Sequence, residues 1–268
     1  MTVVDSTHVI DGLSTRVRVS GEGPPLLLIG GVWSQVPMFD PLLPYLDGFR
    51  TISFDPPGIG ETDMPVRPYS VRRLAGFAAG VLAAVGIGRA HVMGVSLGGA
   101  VAQELARSHP DRVDRLVLVS TGPGAMGVPG RPDVLMRFGR PTAYSDIGIL
   151  ERNAGRIFGG RLRAQPELVR GWHLRPPAST KAWVYRLAAT TGWSSLPWLH
   201  RLTQPTLVVH GDDDPVVPVV NARLIACRVP DARLEVVEGG GHLLLLDSAA
   251  EVIPVITDFL TRTAPRAA

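Results

Sequence analysis

The 268-residue sequence predicts an α/β protein: a mostly parallel sheet with helices on both faces and a helical insertion over one edge. Three observations carry this. Short apolar runs alternate with longer stretches of helical periodicity. Glycine and proline fall where helices should stop, at Gly86 and Pro110. One interval, residues 121–205, is far longer than an ordinary strand-to-helix connection.

In chain order, residues 16–19 alternate polar and apolar side chains, as a half-buried edge strand does. Pro25–Ile29 is continuously apolar, the pattern of a strand buried on both faces. Residues 51–54, 90–95, 115–120, 206–210 and 233–237 read as further strands, and 71–85, 97–109, 219–228 and 249–260 as helices. The long interval divides the chain into an expected core of residues 1–120 and 204–268 and an inserted helical cap of residues 121–203. Four of the five tryptophans lie in the insertion: Trp172, Trp183, Trp193 and Trp198, with Trp33 outside it. They either line an apolar pocket or fill the insertion's own small core. Trp33, Trp172, Trp183 and Trp193 are the pocket candidates.

Composition narrows the functional classes. With 45% hydrophobic and 19% charged residues, the chain can bury a large core. The net charge of +3 is scattered through arginines (Lys181 is the only lysine), without the clustered footprint of a nucleic-acid surface. Cys227 has no cysteine partner within these residues. Residues 1–6 lack the charged start and apolar core of a signal peptide. The longest apolar runs, such as 26–29 and 243–246, are too short to span a bilayer. A cytoplasmic protein is expected.

Gly94-Val95-Ser96-Leu97-Gly98 matches the pattern G-x-S-x-G. The pattern is weak alone, but it follows an apolar strand and opens directly into a helix, the context a nucleophile elbow requires. The glycines let strand and helix approach closely while the turn lifts the hydroxyl above the sheet edge. A serine hydroxyl needs a base to take its proton. His242 has the best setting of seven histidines, in a small-residue loop (Gly239-Gly240-Gly241) after a strand. His8, His91, His109, His173, His200 and His210 fall in strands, at helix ends or in the insertion. An anion must orient the imidazole. Gly211-Asp212-Asp213-Asp214 follows the strand ending at His210, and the third residue after the glycine, Asp214, is the one expected to face the histidine. One helix and one strand separate Asp214 from His242, which returns both to the same sheet edge. An oxyanion needs backbone donors: the N–H of Leu97, and by position that of Val32 in Gly30-Gly31-Val32-Trp33.

These residues, in the order Ser96, Asp214, His242, resemble α/β-hydrolases over nearly the whole chain, including Asp55-Pro56-Pro57-Gly58-Ile59-Gly60. More narrowly, the chain is similar to the intracellular medium-chain-length polyhydroxyalkanoate depolymerases. The similarity lies in residues 124–130 (GAMGVPG) and 192–200 (GWSSLPWLH), and in 204–207 (QPTL) running on through 211–215 (GDDDP). The stretch 192–200 is the most specific. Two positions depart from that family: Gly30-Gly31 stands where it has an asparagine–glycine pair, and Leu97 where it commonly has tryptophan. The resemblance implies an eight-stranded, mostly parallel sheet. It also implies a carboxylic ester hydrolase without metal or organic cofactor, acting on medium-chain 3-hydroxyacyl esters or their polymer at storage granules. A thioesterase, a lactonase or a carbon–carbon hydrolase could use the same side chains. A non-catalytic ligand-binding protein is the reading from another class, and the complete set of three argues against it. Dehalogenase and epoxide-hydrolase chemistry requires a carboxylate where Ser96 stands.

Overall fold

The computed structural model describes residues 2–140, 142, 146–171 and 179–262. The sheet begins with an antiparallel hairpin of β1 (Val3–Ile10) and β2 (Leu13–Ser20). Its two-residue turn, Asp11-Gly12, has positive φ at both positions (50° and 76°), the backbone that joins twisted antiparallel strands tightly. β3 (Pro25–Ile29), β4 (Arg50–Phe54), β5 (Ala90–Val95), β6 (Val113–Val119), β7 (Thr206–Gly211) and β8 (Ala232–Val237) complete eight strands in the order β1-β2-β4-β3-β5-β6-β7-β8. Strand β2 pairs antiparallel with β4, and every later pairing is parallel. The sheet is therefore the eight-stranded, mostly parallel one expected.

The sequence reading missed β1, and its burial explains why. Val3, Val4 and Val9 are exposed, so the edge strand shows no buried face for alternation to mark. It also missed the 3-10 segment Val36–Leu46, whose interior Pro41 and Pro44 interrupt helical periodicity.

Alternation along the central strands splits the core into two layers. Leu27, Ile29, Val92, Leu116, Leu118 and Val208 face α1 (Val71–Ala84) and α2 (Leu97–Ser108). Leu26, Leu28, Met93, Val117, Val119, Leu207 and Val209 pack instead against the Val36–Leu46 segment and the last helix, Ala249–Thr261. Parallel strands buried on both faces bring all their carboxyl ends to one edge.

After β6 the chain leaves the sheet and returns at β7. Its described residues there form α3 (Pro132–Phe138), α4 (Ile147–Phe158), α5 (Thr180–Ala188) and short 3-10 turns. The carboxylate of Asp146 caps α4, accepting from the N–H groups of Gly148 and Ile149, and the Ser179 hydroxyl caps α5, accepting from Ala182. At the neck the outgoing and returning strands touch: Ala125 N–H donates to the Trp193 carbonyl (2.8 Å) and Ser195 N–H to the Pro123 carbonyl (2.9 Å). β7 leads to α6 (Val220–Ala226), and α7 (Leu244–Asp247) and α8 (Ala249–Thr261) close the described chain.

Candidate active site

Ser96 follows β5 directly and caps α2 with φ 54° and ψ −119°, a left-handed conformation that non-glycine residues adopt only under constraint. The constraint is visible on both sides. Its N–H donates to the Val119 carbonyl (3.0 Å), and the Thr121 hydroxyl donates to its carbonyl (2.7 Å). A side chain on Gly98 would place its Cβ 2.0 Å from the Ile29 carbonyl oxygen, so only glycine lets α2 start against β3.

His242 and Asp214 come from the loops after β8 and β7, on the same edge. His242 Nε2 lies 3.1 Å from Ser96 Oγ, and its Nδ1 lies 2.8 Å from Asp214 Oδ2. Both rings of contact are dry: His242 is 2% exposed and Asp214 5%, while Ser96 is half-buried at the cavity wall. The other carboxylate oxygen of Asp214 accepts the N–H groups of Val216 and Val217, each at 2.9 Å. Burial raises this carboxyl, but the neighbouring His242 and His210 imidazoles outweigh it and bring it down to about 2. It is an anion at neutral pH. The other two acidic residues of the loop serve structure. Asp212 accepts the Gly239 N–H (2.7 Å), and Asp213 pairs with Arg163 (2.6 Å) and accepts the Gly160 N–H (2.8 Å).

Leu97 N–H begins α2 beside Ser96, and Val32 lies in the loop after β3, the strand next to β5. Neither N–H has a hydrogen-bond partner among the described residues. Both residues line a cavity of about 370 Å³ that reaches Ser96, with Pro123, Phe138, Thr190 and Asn221 among its walls. A smaller compartment of about 50 Å³ also reaches this serine, walled by Trp33, Met38, Phe39, Leu42, Leu246 and His242.

The tryptophans divide. Trp33 lines the smaller compartment. Trp183 is 2% exposed, stacks behind Trp33 (5.5 Å, 8°) and donates to the Gly139 carbonyl (2.9 Å). Trp193 donates to Glu104 Oε2 (3.0 Å) and meets Trp198 edge-on. Neither Trp183 nor Trp193 is among the residues lining the two cavities. Trp172 lies outside the described residues, as does His173.

Two neighbours of the site went unseen in the sequence. His210, read there as a strand residue, donates from Nε2 to the Val217 carbonyl (2.7 Å) and lies 3.4 Å from Asp214 Oδ2. Its place at the end of β7, four residues before Asp214, was the available signal. Arg186 on α5 is 5% exposed and lines the larger cavity. It donates from Nε to the Val32 carbonyl (3.1 Å) and from Nη2 to the Gly31 carbonyl (3.0 Å). No pattern in the sequence separates it from the other arginines.

No group of His, Cys, Asp or Glu among the described residues is arranged to hold a metal ion, and no helix among them is long and apolar enough to cross a membrane.

A strand-end serine with an imidazole and a buried carboxylate behind it is the arrangement around which one large enzyme class is built. The alpha/beta hydrolase fold model matches residues 24–249, and the chain belongs to that family; it is an α/β-hydrolase-fold enzyme. It is 39% identical over 266 residues to the poly(3-hydroxyalkanoate) depolymerase of Ectopseudomonas oleovorans, covering 97% of this chain and 94% of that one. It is 30% identical to the 2-hydroxymuconate semialdehyde hydrolase of Pseudomonas sp. strain CF600, over 93% of this chain and 91% of the other. Among solved structures, a hydrolase from Pseudomonas aeruginosa PA01 aligns with a TM-score of 0.81 at 27% identity, over 96% of this chain and 98% of that one.

Proposed function

We propose that the protein is a serine-dependent carboxylic ester hydrolase working through an acyl-enzyme, with medium-chain 3-hydroxyacyl esters or their polymer as substrate. The observation that carries the reading is the relay of 3.1 Å and 2.8 Å from Ser96 through His242 to a buried, anionic Asp214, beside two backbone N–H groups that have no partner among the described residues. In it, His242 takes the Ser96 proton as Oγ attacks the ester carbonyl carbon. The N–H groups of Val32 and Leu97 receive the developing oxyanion, and Asp214 stabilises the imidazolium. The tetrahedral intermediate collapses as His242 gives its proton to the leaving alkoxide. Water, deprotonated by the same imidazole, then attacks the acyl-enzyme and frees Ser96 and the acid.

The substrate class rests on the 39% identity to the depolymerase and on the shape of the site. Two compartments meeting at one serine suit an ester with a chain on each side of the scissile bond, as an oligomer has. In this reading residues 121–203 act as a cap over the sheet edge, held at the neck between residues 123–125 and 193–195. A cytoplasmic enzyme at the surface of storage granules follows from the same substrate. The 30% identity to a semialdehyde hydrolase favours a second reading, cleavage of a carbon–carbon bond by the same residues. Thioesters and lactones are further substrates this site could open.

The test is a panel of p-nitrophenyl esters of increasing chain length, an emulsified medium-chain polyhydroxyalkanoate, an acyl-thioester and a vinylogous 1,5-diketone acid. Ser96→Ala should abolish turnover with folding intact, and a fluorophosphonate should label the wild type but not the variant. Hydrolysis at wild-type rate by folded Ser96→Ala would end the mechanism. Fast diketone turnover without clearing of polymer would move the substrate to the second reading, and fast small-ester turnover without clearing would confine it to small esters.

A further inference from the structure

Arg186 carries a positive charge into the interior without a counter-ion among the described residues. Among the described residues no carboxylate lies within ion-pairing distance of it, and burial alone lowers its pKa to about 10, which leaves it a cation at neutral pH. Burying an uncompensated ion costs several kcal/mol. A methionine or leucine would fill the same space between α5 and the core without that cost. Such a charge persists where something near it needs the field or the donors.

What the guanidinium holds is informative. Its two hydrogen bonds go to the consecutive carbonyls of Gly31 and Val32, at 3.0 Å and 3.1 Å. The Gly31 carbonyl and the Val32 N–H belong to one planar peptide unit. A cation on that carbonyl oxygen draws density out of the amide and makes the N–H on the opposite side a stronger donor. A second bond on the next carbonyl stops the plane from rotating. The loop's other ties are a longer bond from the Ser34 N–H to the same Gly31 carbonyl (3.3 Å) and one from the Val36 N–H to Asp55 (2.7 Å); its first two residues are glycines, and the Val32 N–H is unpartnered among the described residues. Arginine suits the task because its rigid fork serves two acceptors while its charge stays fixed.

We propose that Arg186 is a positioning residue for the oxyanion hole: from α5 it orients and polarises the Gly31–Val32 peptide so that the Val32 N–H is aimed at the oxygen that becomes negative when Ser96 attacks. The inference rests on the reading of Val32 as an oxyanion donor given above. It makes the inserted segment part of the catalytic apparatus as well as a wall of the cavity.

Arg186→Met, Arg186→Lys and Arg186→Ala test it on p-nitrophenyl butyrate. Deleting an oxyanion donor outright lowers kcat by about a hundred- to a thousandfold, so a residue acting through the donor should give about ten- to a hundredfold in Arg186→Met. KM should stay nearly unchanged. A trifluoromethyl ketone, which forms a tetrahedral adduct with the serine, should lose affinity by the same factor as kcat/KM. Arg186→Ala should regain activity with millimolar guanidinium ion and not with equal sodium chloride. Unchanged kcat, a loss confined to KM, or unchanged adduct affinity beside a lowered kcat would each overturn the proposal. If Arg186→Met does not fold, Arg186→Lys decides, because it keeps the charge but cannot span both carbonyls: wild-type kcat there is equally fatal. Activity surviving in Ser96→Ala removes the serine mechanism itself, whereas an inactive Ser96→Ala beside a fully active Arg186→Met removes only the role of Arg186.

Discussion

Replacing Asp214 by asparagine changes one charge with almost no change in shape, so its effect can be worked from the geometry. The Val216 and Val217 N–H groups are received by one oxygen of the carboxylate, and the amide oxygen of asparagine can receive both in the same place. The fold should survive. The other position, 2.8 Å from His242 Nδ1, becomes an NH2 group. Either two N–H groups now face each other in a buried site, or the imidazole changes tautomer and puts its hydrogen on Nε2, where it can no longer accept the Ser96 proton. The imidazolium formed during attack also loses its anion. Opposite charges about 4 Å apart at an effective dielectric of about 20 attract by about 4 kcal/mol, or about a thousandfold in rate. With the tautomer penalty added, kcat toward p-nitrophenyl butyrate should fall by about a thousand- to ten-thousandfold at neutral pH. Thermal unfolding should stay within a few degrees of wild type, and fluorophosphonate labelling should slow in step with kcat. A folded Asp214→Asn enzyme retaining a tenth of wild-type kcat would refute the assignment of Asp214 as the orienting acid.

Acid should weaken the native state through the same carboxylate. Its folded pKa of about 2 lies below the ordinary 3.8, so its contribution, about 2 kcal/mol, is complete above pH 3.8 and lost as pH falls toward 2; urea unfolding across that window should show a shallower acid dependence in Asp214→Asn. Gly98→Ala drives a Cβ into the backbone of Ile29, 2.0 Å away, and should cost about 3 kcal/mol or more with loss of fluorophosphonate labelling; a variant melting and labelling like wild type would show that the elbow has slack. Leu207→Ala, at a fully buried position of β7, should cost about 2–5 kcal/mol in urea unfolding while leaving KM of the folded enzyme unchanged. Trp33→Ala enlarges the smaller compartment and should shift the preferred p-nitrophenyl ester toward longer chains; an unchanged chain-length profile would place substrate elsewhere.

The elements that sequence located best are those with a single environment. Pro25–Ile29 and Ala90–Val95 are buried on both faces, and their apolar runs say so without help from periodicity. The residues brought together at the edge were legible for a related reason: each follows a strand directly, so strand order and direction alone carry Ser96, Asp214 and His242 to one side. β1 was illegible because it buries almost nothing. The tryptophans of the insertion were illegible in another way. Whether Trp183 faces a cavity or packs behind Trp33 depends on how α5 turns against the core, and α5 is set by contacts with residues far away in sequence, such as Val32. Arg186 belongs to the same class, since one arginine of many acquires meaning only from the two carbonyls it meets.

The parts of the site are not held with equal independence. Ser96 is fixed at the end of the sheet, through the Val119 carbonyl and the hydroxyl of Thr121 two residues beyond β6, and shares no hydrogen bond with the helices of the insertion. The other groups do. His242 donates its backbone N–H to the Phe158 carbonyl (2.7 Å) at the end of α4. The loop carrying Asp214 is tied through Asp213 to the Gly160 N–H and to Arg163, and the Val32 loop is tied to Arg186. Glycine is required where the insertion meets the acidic loop: Gly159 has φ 69°, and a Cβ there would lie 2.0 Å from the Asp213 carbonyl oxygen. The insertion that walls the larger cavity therefore also holds His242 and the loops of Asp214 and Val32. A substitution there that reshapes the cavity also moves those three residues, so chain-length preference and kcat should change together along α4 and α5.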